Sequence, residues 1–214
     1  MDEDISIINK NTRNENIKNF FINNKKTLIS TLIVLILILF GYFAYKEIQS
    51  KQKIELAEKY NQISNKYISN KNENIIDDLV QIINEKDSTY SPLALYFIID
   101  NELEASNEEI NKYFDILIND TRLEKEIKNL IIYKKGLFNS DFETENNLIS
   151  ILRPIINSES VWKSQALYLM AEFFMYKNQK QKAKEFYNQI LNDKNSNENL
   201  RKEARKRLSR DFSE

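Results

Sequence analysis

The hydrophobic pattern divides the chain into one long apolar run and a series of short amphipathic segments. Residues 27–45 carry no charge and are mostly Leu, Ile and Val, within the stretch KKTLISTLIVLILILFGYFAYKEI. As a helix rising ~1.5 Å per residue the run measures roughly 28 Å, close to the ~30 Å hydrocarbon core of a bilayer. Lys25 and Lys26 bound it on one side, Lys46 and Glu47 on the other. Tyr42, Phe43 and Tyr45 stand at its C-terminal boundary, where amphipathic rings favour the membrane interface. A soluble core helix keeps a polar stripe, and an export signal has a shorter apolar core that ends in a small-x-small site. Here Tyr42 stands two residues before Ala44, and Ile48 two residues before Ser50. Neither pair makes a cleavage site, so the run is expected to be an uncleaved anchor.

Before the run, Ile17, Phe20 and Phe21 recur at helical spacing within 14–26 and predict a short amphipathic lead behind an Asn-rich, acidic tail. After it, every segment has helical periodicity. Residues 46–70 carry Ile48, Leu56, Ala57, Tyr60, Ile63 and Tyr67 on one face and are expected to extend the anchor helix outward. Further helices are predicted over 73–85, 91–103, 107–118, 123–138, 143–153, 160–177, 179–192 and 198–210. Turn-forming stretches such as KDSTYSP, FNSD and NDKNSN separate them. Ser91-Pro92 and Ser160 are predicted as helix starts, and Pro154 is expected to end or kink its helix because it lacks a donor.

The spacing of small and large apolar residues suggests a repeat near 34 residues. In SQALYLMAEFFMYKNQKQKAKEFYNQIL, residues Leu167, Met170, Ala171 and Phe174 match the first-helix positions of a tetratricopeptide repeat, and Ala183, Tyr187 and Ile190 match its second helix. Ala171 and Ala183 fall where the two helices cross, so small side chains there permit close approach. A weaker copy has Ala94, Phe97, Asn101, Ile110, Phe114 and Leu117, with Ile98 in place of a small residue, which predicts a wider crossing. A degenerate third copy has Ile127, Leu130, Ile131, Leu148 and Ile151. The final helix places Leu200, Ala204 and Leu208 on one face and charges elsewhere, as a solubilising cap requires. The expected fold is all-α: an N-terminal tail with a short amphipathic lead over 1–26, a transmembrane helix over 27–45, and a TPR-like solenoid of hairpins with a C-terminal capping helix over 46–214.

Composition narrows the chemistry. The chain has no His and no Cys, which removes thiol nucleophiles, disulfides, Cys/His zinc sites and His acid–base work. Adjacent carboxylates such as Asp77-Asp78 and Glu108-Glu109 point in different directions on a helix and form no acid/base pair. With 31 basic and 32 acidic side chains, net charge nominates no polyanionic partner. The last helix gathers Arg201, Lys202, Arg205, Lys206, Arg207 and Arg210, the pattern of a solvated face. No enzyme activity, cofactor, metal, nucleic acid or small-molecule substrate is expected. Ile, Asn and Lys are over-used throughout, so single Asn or Lys residues carry little weight. Charges flanking the anchor balance and leave its orientation open.

Together the pieces IKNFFINNKKTL, STYSPLALYFIIDNELEAS, VWKSQALYLMAEFFMYKNQKQKAKEFY and LRKEARKRLSRDF resemble the YfgM-like family of membrane-anchored tetratricopeptide-repeat proteins, ancillary subunits of the Sec translocon. The resemblance implies a single-pass protein of the bacterial inner membrane, with its N-terminus cytoplasmic and its repeats periplasmic. Its partners would be translocon subunits, a periplasmic chaperone or exported polypeptides. An envelope-assembly adaptor, for cell wall, division or outer-membrane construction, is the alternative. Repeat arrays bind along the concave face lined by first helices. Repeat geometry puts Gln165, Tyr168, Glu172, Met175 and Tyr176 there, and Leu95, Ile99 and Glu102 from the earlier copy.

Overall fold

A computed structural model describes residues 15, 18–71, 74–104 and 106–212. The acidic tail and Ile17 of the lead segment lie outside the described residues. The chain divides into two compact units, residues 1–55 and 56–214.

In the first unit, residues 18–23 are helical, with the rings of Phe20 and Phe21 edge to face at 5.9 Å. Helix α1 (Lys25–Ser69, 45 residues) begins in this unit, and its residues from Leu56 onward belong to the second. It is the one element among the described residues long and apolar enough to cross a membrane, and none of its most apolar stretch is buried within the protein. The Ser30 hydroxyl donates to the Thr27 carbonyl at 2.9 Å, which satisfies that polar group inside the helix as an apolar environment demands.

The second unit is an array of short helices: α2 (Ile76–Asn84), α3 (Tyr90–Asp100), α4 (Asn107–Asp115), α5 (Lys125–Asn139), α6 (Glu145–Ile156), α7 (Lys163–Tyr176), α8 (Lys180–Asn192) and α9 (Glu198–Asp211). Among the described residues there is no strand. Local chemistry sets the starts. Ser106 accepts from the Glu109 amide, Thr144 from the Asn147 amide and Asn197 from those of Asn199 and Leu200, each satisfying donors that a first turn leaves unpaired. α3 begins instead on Asp87, whose Oδ1 accepts from the amides of Thr89 and Tyr90 at 2.8 and 2.7 Å. Ser91 is therefore not the helix start. It is buried inside α3 and its hydroxyl donates to the Ile82 carbonyl of α2 at 2.7 Å.

Consecutive helices pair as α2 with α3, α5 with α6, and α7 with α8, while α9 lies on α8 and α7. α3 approaches α2 more closely than α4. Small Ser91 and Ala94 are buried in α3, whereas bulky Ile98 stands where a close α3–α4 crossing would need a small side chain. Two hydrophobic clusters result. The first takes Ile63 and Tyr67 of α1 with residues of α2, α3 and α4; the second joins α6, α7, α8 and Ala204 of α9. α5 separates them, with Ile131 in the first cluster and Ile132 in the second.

Two irregularities matter. α4 ends in a π-helical turn, Ile116–Asp120, where the Thr121 hydroxyl donates to the Ile116 carbonyl at 3.2 Å. α6 continues through Pro154 to Ile156 rather than ending at Arg153. Pro154 costs the Ser150 carbonyl its helical donor, but Ile155 is fully buried and holds the last turn in place. Between α4 and α5 the carboxamides of Asn111 and Asn139 donate to each other reciprocally, both at 2.9 Å. Asn139 is wholly buried and also donates to the Lys135 carbonyl.

Two glycine exchanges should move stability in opposite directions. A Cβ on Gly136 of α5 would come within 2.9 Å of Cγ of Leu152, which is fully buried in α6. Gly136→Ala should therefore destabilise the protein by about 1–3 kcal/mol despite alanine's better helix propensity. Glu102 closes α3 in the left-handed region at φ 51°, with the Leu103 amide reaching the Ile98 carbonyl, a cap that usually takes glycine. Glu102→Gly should stabilise by about 0.5–1 kcal/mol. Chemical denaturation of the full chain in detergent measures both.

Candidate functional site

The candidate site is built on the first-helix side of α7, and its foundation is the α7–α8 crossing. Leu167, Met170, Ala171 and Phe174 of α7 and Ala183, Tyr187 and Ile190 of α8 are all buried. Ala171 and Ala183 have no side chain beyond Cβ, so the two helices lie close and Phe174 stacks on Phe186 at 5.5 Å. Removing these apolar surfaces from water supplies the main stabilisation of the hairpin.

Tyr187 is the polar pivot of that core. Its hydroxyl donates to Oε1 of Glu172, and Oε2 of Glu172 accepts from Nη2 of Arg207 at 2.6 Å. Arg207 also faces Glu203 and Asp211 at 3.8 and 3.7 Å. The Tyr168 ring meets Tyr187 at 5.9 Å, and Phe212 meets Tyr187 at 6.2 Å. Burial pushes the Tyr187 hydroxyl well above the usual tyrosine range, reinforced by its bond to the Glu172 carboxylate. Tyr168 is also raised, by burial first. The Arg207 guanidinium is held up chiefly by its contact with Tyr168. α9 is thereby fastened to α7 through a carboxylate shared between a phenol and a guanidinium.

The expected binding residues separate accordingly. Tyr168 and Glu172 are partly covered by their contacts to α9. Met175 is half-buried against the second cluster. Tyr176 is 78 % exposed, with the Lys177 ammonium 5.7 Å from its ring. Gln165 is partly buried, and its Oε1 has no hydrogen-bond partner. In the earlier copy Ile99 is half-buried against the first cluster and Glu102 is exposed at the α3 cap. Leu95 needs correction: it is 0 % exposed, because α2 packs on the α3 face that carries it. It belongs to the core and offers no partner a surface. The basic face of α9 is largely neutralised: Arg201, Lys206, Arg207 and Arg210 each have a carboxylate within ion-pair distance.

The structure also has a groove that the repeat pattern did not indicate. It is a trough of about 560 Å³ between α4, the end of α5 and α6, reaching from Asn107 to Ile151. Its polar lining is mostly Asn, Glu and Lys, residue types whose abundance hid them. Among the described residues, no grouping of His, Cys, Asp and Glu could hold a metal ion.

Residues 18–112 match the family model of the tetratricopeptide repeat-like domain. That stretch contains the apolar run, α2, α3 and the first turns of α4, and stops short of the α7–α8 hairpin. No curated protein and no solved structure matches the chain.

Alkaline titration tests the tyrosine environments. Tyr96, Tyr113, Tyr133, Tyr168 and Tyr187 all have raised values, each with burial as the leading cause, and Tyr96 is pushed up to about 12. Folded values above the unfolded ~10 mean that their contribution is whole below that pH. It is lost as pH rises through the folded values. The unfolding midpoint should hold steady up to about pH 10 and fall toward pH ~12. Tyrosinate absorbance should lag that of the denatured chain over the same window.

Proposed function

We propose that this chain is a non-catalytic scaffold anchored in the bacterial inner membrane by residues 27–45, with its N-terminus cytoplasmic and its helical repeats periplasmic. In that position it recruits protein partners beside the Sec translocon and the periplasmic chaperone network. One observation carries the reading: a single matched stretch, residues 18–112, holds both the apolar run and the first helices of the array. Repeat domains of this kind bind proteins through surfaces that neighbouring hairpins build together. The resemblance to the YfgM-like family supplies the compartment and the translocon.

The partner surface in this reading is the first-helix side of α7 and α3, centred on Tyr176 and Met175 and flanked by Tyr168, Glu172 and Ile99. An exposed tyrosine supplies large contact area at low entropic cost, and methionine adapts its shape to the partner. Leu95 is left out because it is buried.

Photo-crosslinkers at Tyr176 and Met175, used in intact cells, should capture translocon subunits or a periplasmic chaperone. One at Glu185, exposed on α8, should not. Capture of one stable envelope-assembly machine would favour the adaptor reading, and no specific capture would overturn the proposed surface. A C-terminal reporter active only in the cytosol would overturn the placement.

A further inference from the structure

We infer that the trough between α4 and α6 is a second docking site, which takes an extended polypeptide segment bearing lysine or arginine. None of its lining residues belongs to the surface proposed around Tyr176, so the two sites are independent. Its volume, about 560 Å³, falls in the ~300–1,000 Å³ range of ligand-holding clefts. The trough is open to solvent rather than enclosed, which suits a chain laid across it better than an enclosed small molecule.

Charge selects the visitor. Both lysines of the trough are already neutralised, Lys112 by Glu109 at 2.6 Å and Lys135 by Asp115 at 2.7 Å. The Glu108 carboxylate accepts from the Ser106 hydroxyl and its own backbone amide, and Glu143 from the Asn147 carboxamide and the Thr144 amide, all of them neutral donors. Neither has an ion-pair partner among the described residues. The unspent charge of the trough is therefore negative, and complementarity calls for a basic segment.

The rest of the lining is suited to a main chain. Exposed Ser150 of α6 also lines the trough, and its hydroxyl can donate to or accept from an incoming peptide group. Asn107 has an exposed carboxamide that can both donate and accept. Phe142, 45 % exposed, and half-buried Ile151 offer apolar contact for alternate side chains of the visitor. The floor is rigid, because Asn111 is locked to buried Asn139. The π-helical turn begins directly after Asp115, a lining residue, and such turns recur at functional sites.

The test is fluorescence anisotropy on the full chain in detergent. One labelled peptide is unstructured, with lysines spaced along it; the matched peptide has glutamates in their place. The lysine peptide should bind saturably, more weakly as salt rises, and the glutamate peptide should not. Glu108→Gln/Glu143→Gln should weaken binding on the order of tenfold, while Tyr176→Ser should leave it unchanged. Phe142→Ala removes an exposed ring and should also weaken binding, which covers the case where the double variant unfolds. Equal binding of both peptides, no saturable binding, or full affinity in folded variants would overturn the site. None of those results bears on the crosslinking surface at Tyr176.

Discussion

Adjacent side chains on α5, Ile131 and Ile132, enter different hydrophobic clusters, and the order of the helical unit depends on that division. A lone hairpin cannot bury its apolar face; it needs a neighbour on each side. α5 acts as the wall common to both clusters, with Gly136 admitting Leu152 of α6 on one flank. Ile118, in the π-helical turn, packs against both clusters. The α4–π–α5 joint and the tight α7–α8 crossing are thus parts of one packing scheme, stitched across a single helix.

Much of this was legible in the hydrophobic period. The α7–α8 hairpin stands out in the sequence because burial there follows from spacing and from two alanines at a crossing. Where the reading failed, a contact distant in sequence had intervened. Ser91 has the residue type of a helix start, yet its hydroxyl serves a carbonyl of α2. Pro154 does not end its helix, one of its two expected effects, because buried Ile155 holds the turn beyond it. Leu95 has the register of an inward-facing position, yet α3 packs chiefly on α2. The Asn111–Asn139 pair was invisible: the partners lie 28 residues apart, in a chain where asparagine is too common to signal anything. The same holds for Glu172, whose guanidinium partner is 35 residues away.

The surfaces left for recognition differ in character. Around Tyr176 the protein offers an exposed ring, an adaptable thioether and a carboxylate tied to the last helix. The α4–α6 trough offers carboxylates that no cation neutralises, together with carboxamides and a hydroxyl. A chain without histidine or cysteine has put its polar side chains to use in fastening helices and shaping such surfaces. In the proposed function the anchor fixes where those surfaces meet their partners, and the two faces allow two polypeptides to be held at once.

The reciprocal carboxamide bond between Asn111 and Asn139 has a consequence for assembly. Degenerate hairpins resemble one another, and a helix could dock against the wrong neighbour with nearly as much apolar contact. Misdocking would leave the buried Asn139 carboxamide without its partner, at a cost of about 1–3 kcal/mol. An apolar pair at those positions would tolerate the slip; the asparagines do not. The reciprocal bond therefore favours the placement of α5 beside α4 over an arrangement in which Asn139 is unpaired.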